Sequence, residues 1–384
     1  MEFTANVVGK GLTRIEIRGE RISSLQVLGS PDPGAAYASP GFVDIQINGF
    51  AGVDFSDPDL RPEALIGVLA ALWKTGVTTV CPTLITNTFE GFENAFRVLE
   101  TARRLDAQFA ATAPCYHLEG PYLSPGESHG AHNPAWMRSP DWAGFCQLQQ
   151  AAGGNIAIIT LAPELPGAME FIRRARASGV VVALGHTDAA PEQIHEAVRA
   201  GATLSTHLGN GNPQMIDRHR NTLWPQMAID RLQASLICDG FHLPPDMVRV
   251  IFRAKGIERC ILITDAVHVA WLPPGRYTLA TLPIELLSTG QVVTANRRSM
   301  AGSTLSMDRA ISNFAQFTGA PLHVALQAAT TRPASLLSRS DVCREIAEGQ
   351  PSNVTLFRLD REVLEIQRVI LGGDVVYGPS ADYS

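Results

Sequence analysis

The sequence predicts an α/β fold: a (β/α)8 barrel of the TIM type beside a small β-sandwich built from both chain termini. Three observations predict it. From about residue 40 one unit repeats eight times, an apolar strand, a polar tip and a helical stretch. The strand tips carry the ligand-type and acid–base side chains, as the carboxyl ends of barrel strands do. Both ends of the chain, 1–39 and 345–384, read instead as short strands.

Residues 2–28 supply the first β pieces (ANVVGKG, TRIEIRGE, RISSLQVLG), and GSPDPGAAYASPG marks a boundary near residue 39. The barrel, 40–344, follows with strands FVDIQIN, VTTVCPT, CYHLEGP, IAIITLAPE, VVVALGH, TLSTHL, ASLICDG and CILITDA. Helical periodicity lies between them in RPEALIGVLAALWKTG, FENAFRVLETARRL, AMEFIRRARASG and APEQIHEAVRAG, several of which stop at glycine. Residues 275–298 read as a β insertion after the eighth strand. Helices return in SMDRAISNFAQFTG and HVALQAATTRPASLL, and the chain closes on SNVTLFRLD and VLEIQRVILGGDVVYG. An open doubly wound sheet is the competing fold, but no glycine-rich phosphate fingerprint follows the first strand.

With 384 residues, 45% hydrophobic and 18% charged, the chain has the makeup of a well-buried globular enzyme. A net charge of −6 gives no basic face, which argues against nucleic acid or an anionic membrane as partner. No apolar run reaches the ~18 residues of a membrane span. The start of the chain shows no basic segment followed by an apolar one, so no leader is expected there. The six cysteines have no CxxC spacing, and most lie in apolar segments, as buried free thiols in a reducing cytoplasm would.

Gln46 and Asn48, Thr83, Glu119, Glu164, His186, His207, Asp239 with His242, and Asp265 all fall at strand tips. Glu119, His186 and His207, after strands three, five and six, form one carboxylate and two imidazoles. That set suits a three-ligand site with an open position for one divalent ion, Zn2+ above all, with Fe2+, Mn2+ or Co2+ also compatible. Asp265 reads either as a helix N-cap or as a general base facing a water at that site. His242 is placed to polarise a substrate carbonyl or bond a sugar hydroxyl, or else simply locks its loop. Asn210 and Gly211 offer amide and backbone donors, or form a turn. His132 is placed near the mouth by its HNP turn, whereas His117 reads as a hydrogen-bonded core residue. Gln46, a poor metal ligand, is expected to bond water at the ion. Arg218 and Arg220 are candidate cations for an anionic substrate group, the alternative being a solvated loop. No G-x-S-x-G elbow or convincing thiol nucleophile is present.

The stretches PGFVDIQINGFAGVDFSD, PTLITNT, HLEGPYLSPGESHGAHNP, TLAPE, GHTDA, THLGNGNP, DGFHLPP, LITDA and AGSTLSMDRAISNF occur in this order over most of the chain. Together they resemble the amidohydrolase superfamily, and within it the deacetylases of amino-sugar phosphates. The resemblance implies hydrolysis of the acetamide of N-acetylglucosamine 6-phosphate to an amine and acetate. An unphosphorylated or different N-acetyl amino sugar, or another amide, is the alternative substrate. It further implies a metal on Glu119, His186 and His207, catalysis by Asp265, His242 on the substrate carbonyl, and sugar contacts from His132, Asn210 and Gly211. A split β-sandwich and a homodimer are also implied. The chain departs from the family pattern twice. Gln46-Ile47-Asn48 stands where many members carry His-x-His, and the usual arginine-bearing turn after strand six is replaced by THLGNGNPQMIDRHRN.

Overall fold

The computed structural model describes residues 1–379; residues 380–384 of the expected terminal β domain lie outside the described residues. Eight parallel strands form the central sheet, β1 (Phe42–Ile47), β2 (Val77–Ile85), β3 (Tyr116–Glu119), β4 (Ile156–Leu161), β5 (Val181–Leu184), β6 (Leu204–Ser205), β7 (Gln233–Leu236) and β8 (Cys260–Leu262). Each pairs with the next in sequence order. Staves covered by helices outside and filled inside must be apolar on both faces, and all nine residues of β2 are buried.

The last join is made differently. Among the described residues no ladder pairs β8 with β1. The seam is closed beyond the end of β8, where the Asp265 N–H donates to the Gln46 carbonyl (2.9 Å) and the Asn48 N–H to the Ala266 carbonyl (2.8 Å). This is the (β/α)8 barrel expected from the strand–helix repeat.

The helices follow from local sequence. Phe89–Leu105 begins at Thr88, whose hydroxyl accepts the Gly91 N–H, and buries Phe92, Ala95, Phe96, Leu99 and Ala102 along one stripe. Pro191–Ala200 opens on a proline whose missing N–H costs nothing at that position, and buries Ile194, Ala197 and Val198.

Two helices expected as continuous are broken. Residues 61–76 give Pro62–Gly67 and Leu69–Trp73, with Gly67 at the break weakening the helix. In 322–337 the chain leaves helical geometry at Thr330, so Pro333 falls in the first turn of a new helix, Thr331–Leu337. A proline there removes no hydrogen bond. The expected strand TLSTHL pairs only at Leu204–Ser205, because the backbone turns at His207 (φ 31°).

A seven-stranded sheet takes Glu2–Val7, Gly11–Arg18, Arg21–Gly29 and Tyr37–Pro40 from one end of the chain. Val354–Asp360, Val363–Leu371 and Asp374–Tyr377 come from the other. Its own core includes Phe3, Ile15, Ile22, Ala38, Val354 and Ile370. It meets the barrel where the Thr355 hydroxyl donates to the Gly76 carbonyl (2.7 Å). Strands Gly275–Leu279, Leu282–Leu286 and Val292–Thr294 form a small antiparallel sheet packed on Ile85, Val267 and Val269 at the barrel mouth. No helix among the described residues is long and apolar enough to cross a membrane.

Candidate metal centre and active site

Inside the barrel a polar layer lies below the mouth. His117 on β3 bonds the Ile45 carbonyl through Nδ1 (3.1 Å) and the Thr160 hydroxyl through Nε2 (2.7 Å), and Thr160 in turn bonds Thr206. Burial pushes the His117 pKa down to about 4, so the ring is neutral and structural, as its place in the sequence suggested.

One step higher the ligand-type side chains converge. Glu119 ends β3, His186 follows β5 and His207 follows β6, and all three are buried. The Glu119 Oε1 atom lies 3.1 Å from His207 Nε2 and 3.4 Å from His186 Nε2, and the two Nε2 atoms are 3.1 Å apart. Among the described residues this is the one group of three or more such side chains able to hold an ion. Ligands held ~2.0–2.2 Å from a tetrahedral centre would sit roughly 3.3–3.6 Å apart; the observed 3.1–3.4 Å lies within a few tenths of an ångström of that, so the donor set fits a divalent metal. Its chemistry fits as well. His186 Nδ1 donates to the Ser128 carbonyl (2.8 Å), which turns Nε2 to face the other two donors.

The ring of His186 is wedged. A Cβ on Gly211 would meet its Nδ1 at 2.9 Å, and one on Gly130 its Cε1 at 3.0 Å. Both glycines have positive φ, 62° and 59°. His186, His207 and Asp265 also lie in the left-handed region, with φ of 50°, 31° and 49°. Such backbone strain costs of order 1–3 kcal/mol per residue and collects at functional sites.

Asp265, just past β8, is buried, and its Oδ1 accepts from the Asn48 amide (2.7 Å). No helix starts there, so the capping alternative is set aside. Burial, then the Glu119 charge, pushes its pKa up, while Glu119 itself is held well below the usual carboxylate range. Burial opposes that ionisation, but His186 and His207 outweigh it. Two carboxylates with opposite shifts in one cleft are the pattern of an anchored anion beside a proton acceptor.

Gln46, expected to bond water, donates its amide to Glu119 Oε1 (3.0 Å), because the carboxylate is the nearest strong acceptor. His242 Nδ1 lies 2.7 Å from Asp239 Oδ2, so that carboxylate fixes the ring and leaves Nε2 available. Burial favours neutral Asp239, yet the bonds from His242 keep it below its ordinary value. His132 does not stand free at the mouth. It is buried, accepts the Thr86 N–H on Nδ1 (3.2 Å) and sets its ring edge-on to His186 with centroids 4.3 Å apart.

Asn210 folds back on the His207 carbonyl, and the Gly211 carbonyl accepts the Thr187 N–H. Arg218 and Arg220 sit on an exposed segment, with Arg220 paired to Glu192 (2.9 Å), both about two-thirds exposed. Glu164 accepts from the Thr187 hydroxyl and the Asp188 N–H, bracing the loop after β5. Sequence reasoning missed Ser128, Gly130, Asp44 and Thr264. Asp44 had a signal, since it shares a pleat face with Gln46 two residues on.

Residues 37–376 match the model of the amidohydrolase family. The chain is 36% identical over 318 residues to an N-acetylglucosamine-6-phosphate deacetylase of Bos taurus, covering 80% of this chain and 76% of that protein. It is 31% identical over 336 residues to an N-acetylgalactosamine-6-phosphate deacetylase of Escherichia coli O157:H7, covering 88% and 86%. Among solved structures it is similar to a mutant N-acetyl-D-glucosamine-6-phosphate deacetylase of Mycobacterium smegmatis in complex with N-acetyl-D-glucosamine-6-phosphate. That match has a TM-score of 0.87 and 30% identity, and covers 98% of this chain and 99% of the other.

Proposed function

The chain belongs to the amidohydrolase family, and from that premise we propose that it hydrolyses the acetamide of N-acetylglucosamine 6-phosphate to glucosamine 6-phosphate and acetate. The observation that carries the reading is the convergence of Glu119, His186 and His207, with Asp265 buried beside them, in a chain similar along most of its length to such deacetylases.

Glu119, His186 and His207 would hold one divalent ion, Zn2+ by the character of the donors, which supplies Lewis acidity toward water and the acetamide carbonyl. Asp265, with its raised pKa, takes the proton of the attacking water. The water oxygen bonds to the carbonyl carbon, the C–N bond breaks, and Asp265 returns the proton to the departing amine nitrogen. His242, held at Nδ1 by Asp239, presents Nε2 to the carbonyl oxygen. Gln46 and Asn48 keep the two carboxylates in place. Backbone and amide groups of Asn210 and Gly211, with His132 behind them, border the sugar.

A second reading has its own support in the similarity to an N-acetylgalactosamine-6-phosphate deacetylase, whose named substrate differs in the sugar epimer. Acetate release measured in parallel on both 6-phosphates and on free N-acetylglucosamine separates these readings. N-acetylglucosamine 6-phosphate should be turned over best. No acetate from any of the three by metal-loaded protein would overturn the deacetylase assignment.

A paired state of two chains is also proposed. It is supported by Met215, Ile216 and Trp224, exposed on the same segment as Arg218 and Arg220, and sedimentation of the purified protein tests it. Six free thiols, five of them buried, support a reducing, cytoplasmic setting.

A further inference from the structure

The seam between β1 and β8 is held by a side chain as well as by backbone. Asp44 lies inside the barrel below Gln46, only 1% exposed. Its Oδ1 accepts the N–H groups of Thr264 (3.2 Å) and Gln46 (3.3 Å), and its Oδ2 accepts the Thr264 hydroxyl (2.5 Å). The Thr264 hydroxyl oxygen accepts the Ala266 N–H (3.2 Å), and the Thr264 carbonyl accepts the Ser303 hydroxyl (2.5 Å). Asp265 lies between these fixed neighbours. Its own N–H goes to Gln46 and its carbonyl accepts from the Ser303 N–H (2.9 Å).

We propose that Asp44 is a positioning residue for the deacetylation: its buried carboxylate ties β8 to β1 and so sets the direction of Asp265. The strained backbone of Asp265 needs such over-determination, since a residue at φ 49° relaxes unless its surroundings hold it. A carboxylate is the acceptor suited to this place. It takes two N–H groups on one oxygen and a hydroxyl on the other, more than a single backbone carbonyl offers while also spanning the seam. The same group orients Gln46 through its N–H, so the brace on Glu119 and the direction of Asp265 share one anchor.

The inference rests on the reading of Asp265 as the proton-transferring residue, and Asp265→Asn belongs in the same series. Asp44→Asn is expected to lower kcat about tenfold or more, with KM within twofold and metal content unchanged, because misplacing a reacting group by ~1 Å costs up to about a hundredfold. Its melting temperature at pH 8 should not fall, since a neutral amide removes a buried charge; a merely structural role would lower stability and activity together. Thr264→Val should reproduce the kcat loss and Thr264→Ser should restore most of it. The Asp44→Asn/Thr264→Val double variant should be no worse than the poorer single one, as both break one interaction.

Full kcat in both Asp44→Asn and Thr264→Val, or losses that follow metal content or melting temperature, would overturn the proposal. If Asp44→Asn does not fold, the Thr264 pair decides. An active Asp265→Asn would instead remove the catalytic reading, whereas an inactive one beside fully active Asp44 and Thr264 variants would remove only the positioning role.

Discussion

The Nε2 atoms of His186 and His207 face each other at 3.1 Å, with Nδ1 of His186 donating to the Ser128 carbonyl. Two imidazole nitrogens at that separation are stabilised by a shared cation. One equivalent of a divalent metal per chain is therefore expected by elemental analysis, with chelation abolishing turnover and lowering the melting temperature. For an ion held at a thousandfold excess over its Kd the loss is about 4 kcal/mol. Two equivalents, both needed for activity, would contradict the one-ion site, as Gln46 and Asn48 are weak ligands for Zn2+.

Asp265→Asn should reduce kcat by roughly 10²–10⁴-fold at unchanged metal content. Asparagine tolerates the left-handed backbone found there, so the variant should fold normally. Retention of more than about a tenth of wild-type turnover would exclude Asp265 as the main proton carrier.

Gly211→Ala and Gly130→Ala test the wedge on His186. Each Cβ would press on the ring within about 3 Å, and each also suffers at positive φ. Metal affinity, read by competition with a chelator, should fall about 10–100-fold, the usual cost of disturbing the support of a ligand. Unchanged affinity would show that the ring has room to retreat.

Asp44 makes stability depend on pH in a defined direction. Burial raises its pKa from the ordinary 3.8 to about 7, with the Asp265 carboxylate adding a smaller push. The folded chain thus binds a proton that the unfolded chain has released. Its contribution is fully present below about pH 4 and is lost as pH rises toward 7, at about 1.4 kcal/mol per pH unit at most. Urea titrations between pH 5 and 8 should show this fall in wild type and a flatter profile in Asp44→Asn; parallel profiles would refute it.

Arg220 shares an exposed ion pair with Glu192, a geometry worth little, so Arg220→Ala should leave stability within about 1 kcal/mol of wild type. If Arg218 or Arg220 meets the substrate phosphate, its alanine variant should raise KM for the 6-phosphate roughly tenfold while sparing the free sugar. Equal effects on both sugars would remove these arginines from phosphate recognition.

The strand–helix repeat made the barrel legible, and with it the rule that chemistry sits at strand tips. Glu119, His186, His207 and Asp265 were found that way because each is a polar residue closing an apolar run. What periodicity could not show was where neighbouring loops go. The Ser128 carbonyl and Gly130 reach His186 from the loop after β3, more than fifty residues away, and nothing local marks them. The Asp44–Thr264 tie spans 220 positions. The two helix breaks, beside Gly67 and at Thr330, follow from a single glycine and a single proline, which an average over a window smooths away.

The barrel closes at Asp265 and Ala266, the same turn that carries the residue proposed to transfer the proton. Seven joins are extended ladders or short ones continued by their neighbours, but the eighth depends on a few bonds around the Asp265 turn. On heating, that join is expected to part early. Activity should then decay ahead of any global signal of melting, and ligands that grip both Asp265 and β1 should act as clasps, extending the working lifetime of the enzyme well beyond what their effect on overall stability accounts for.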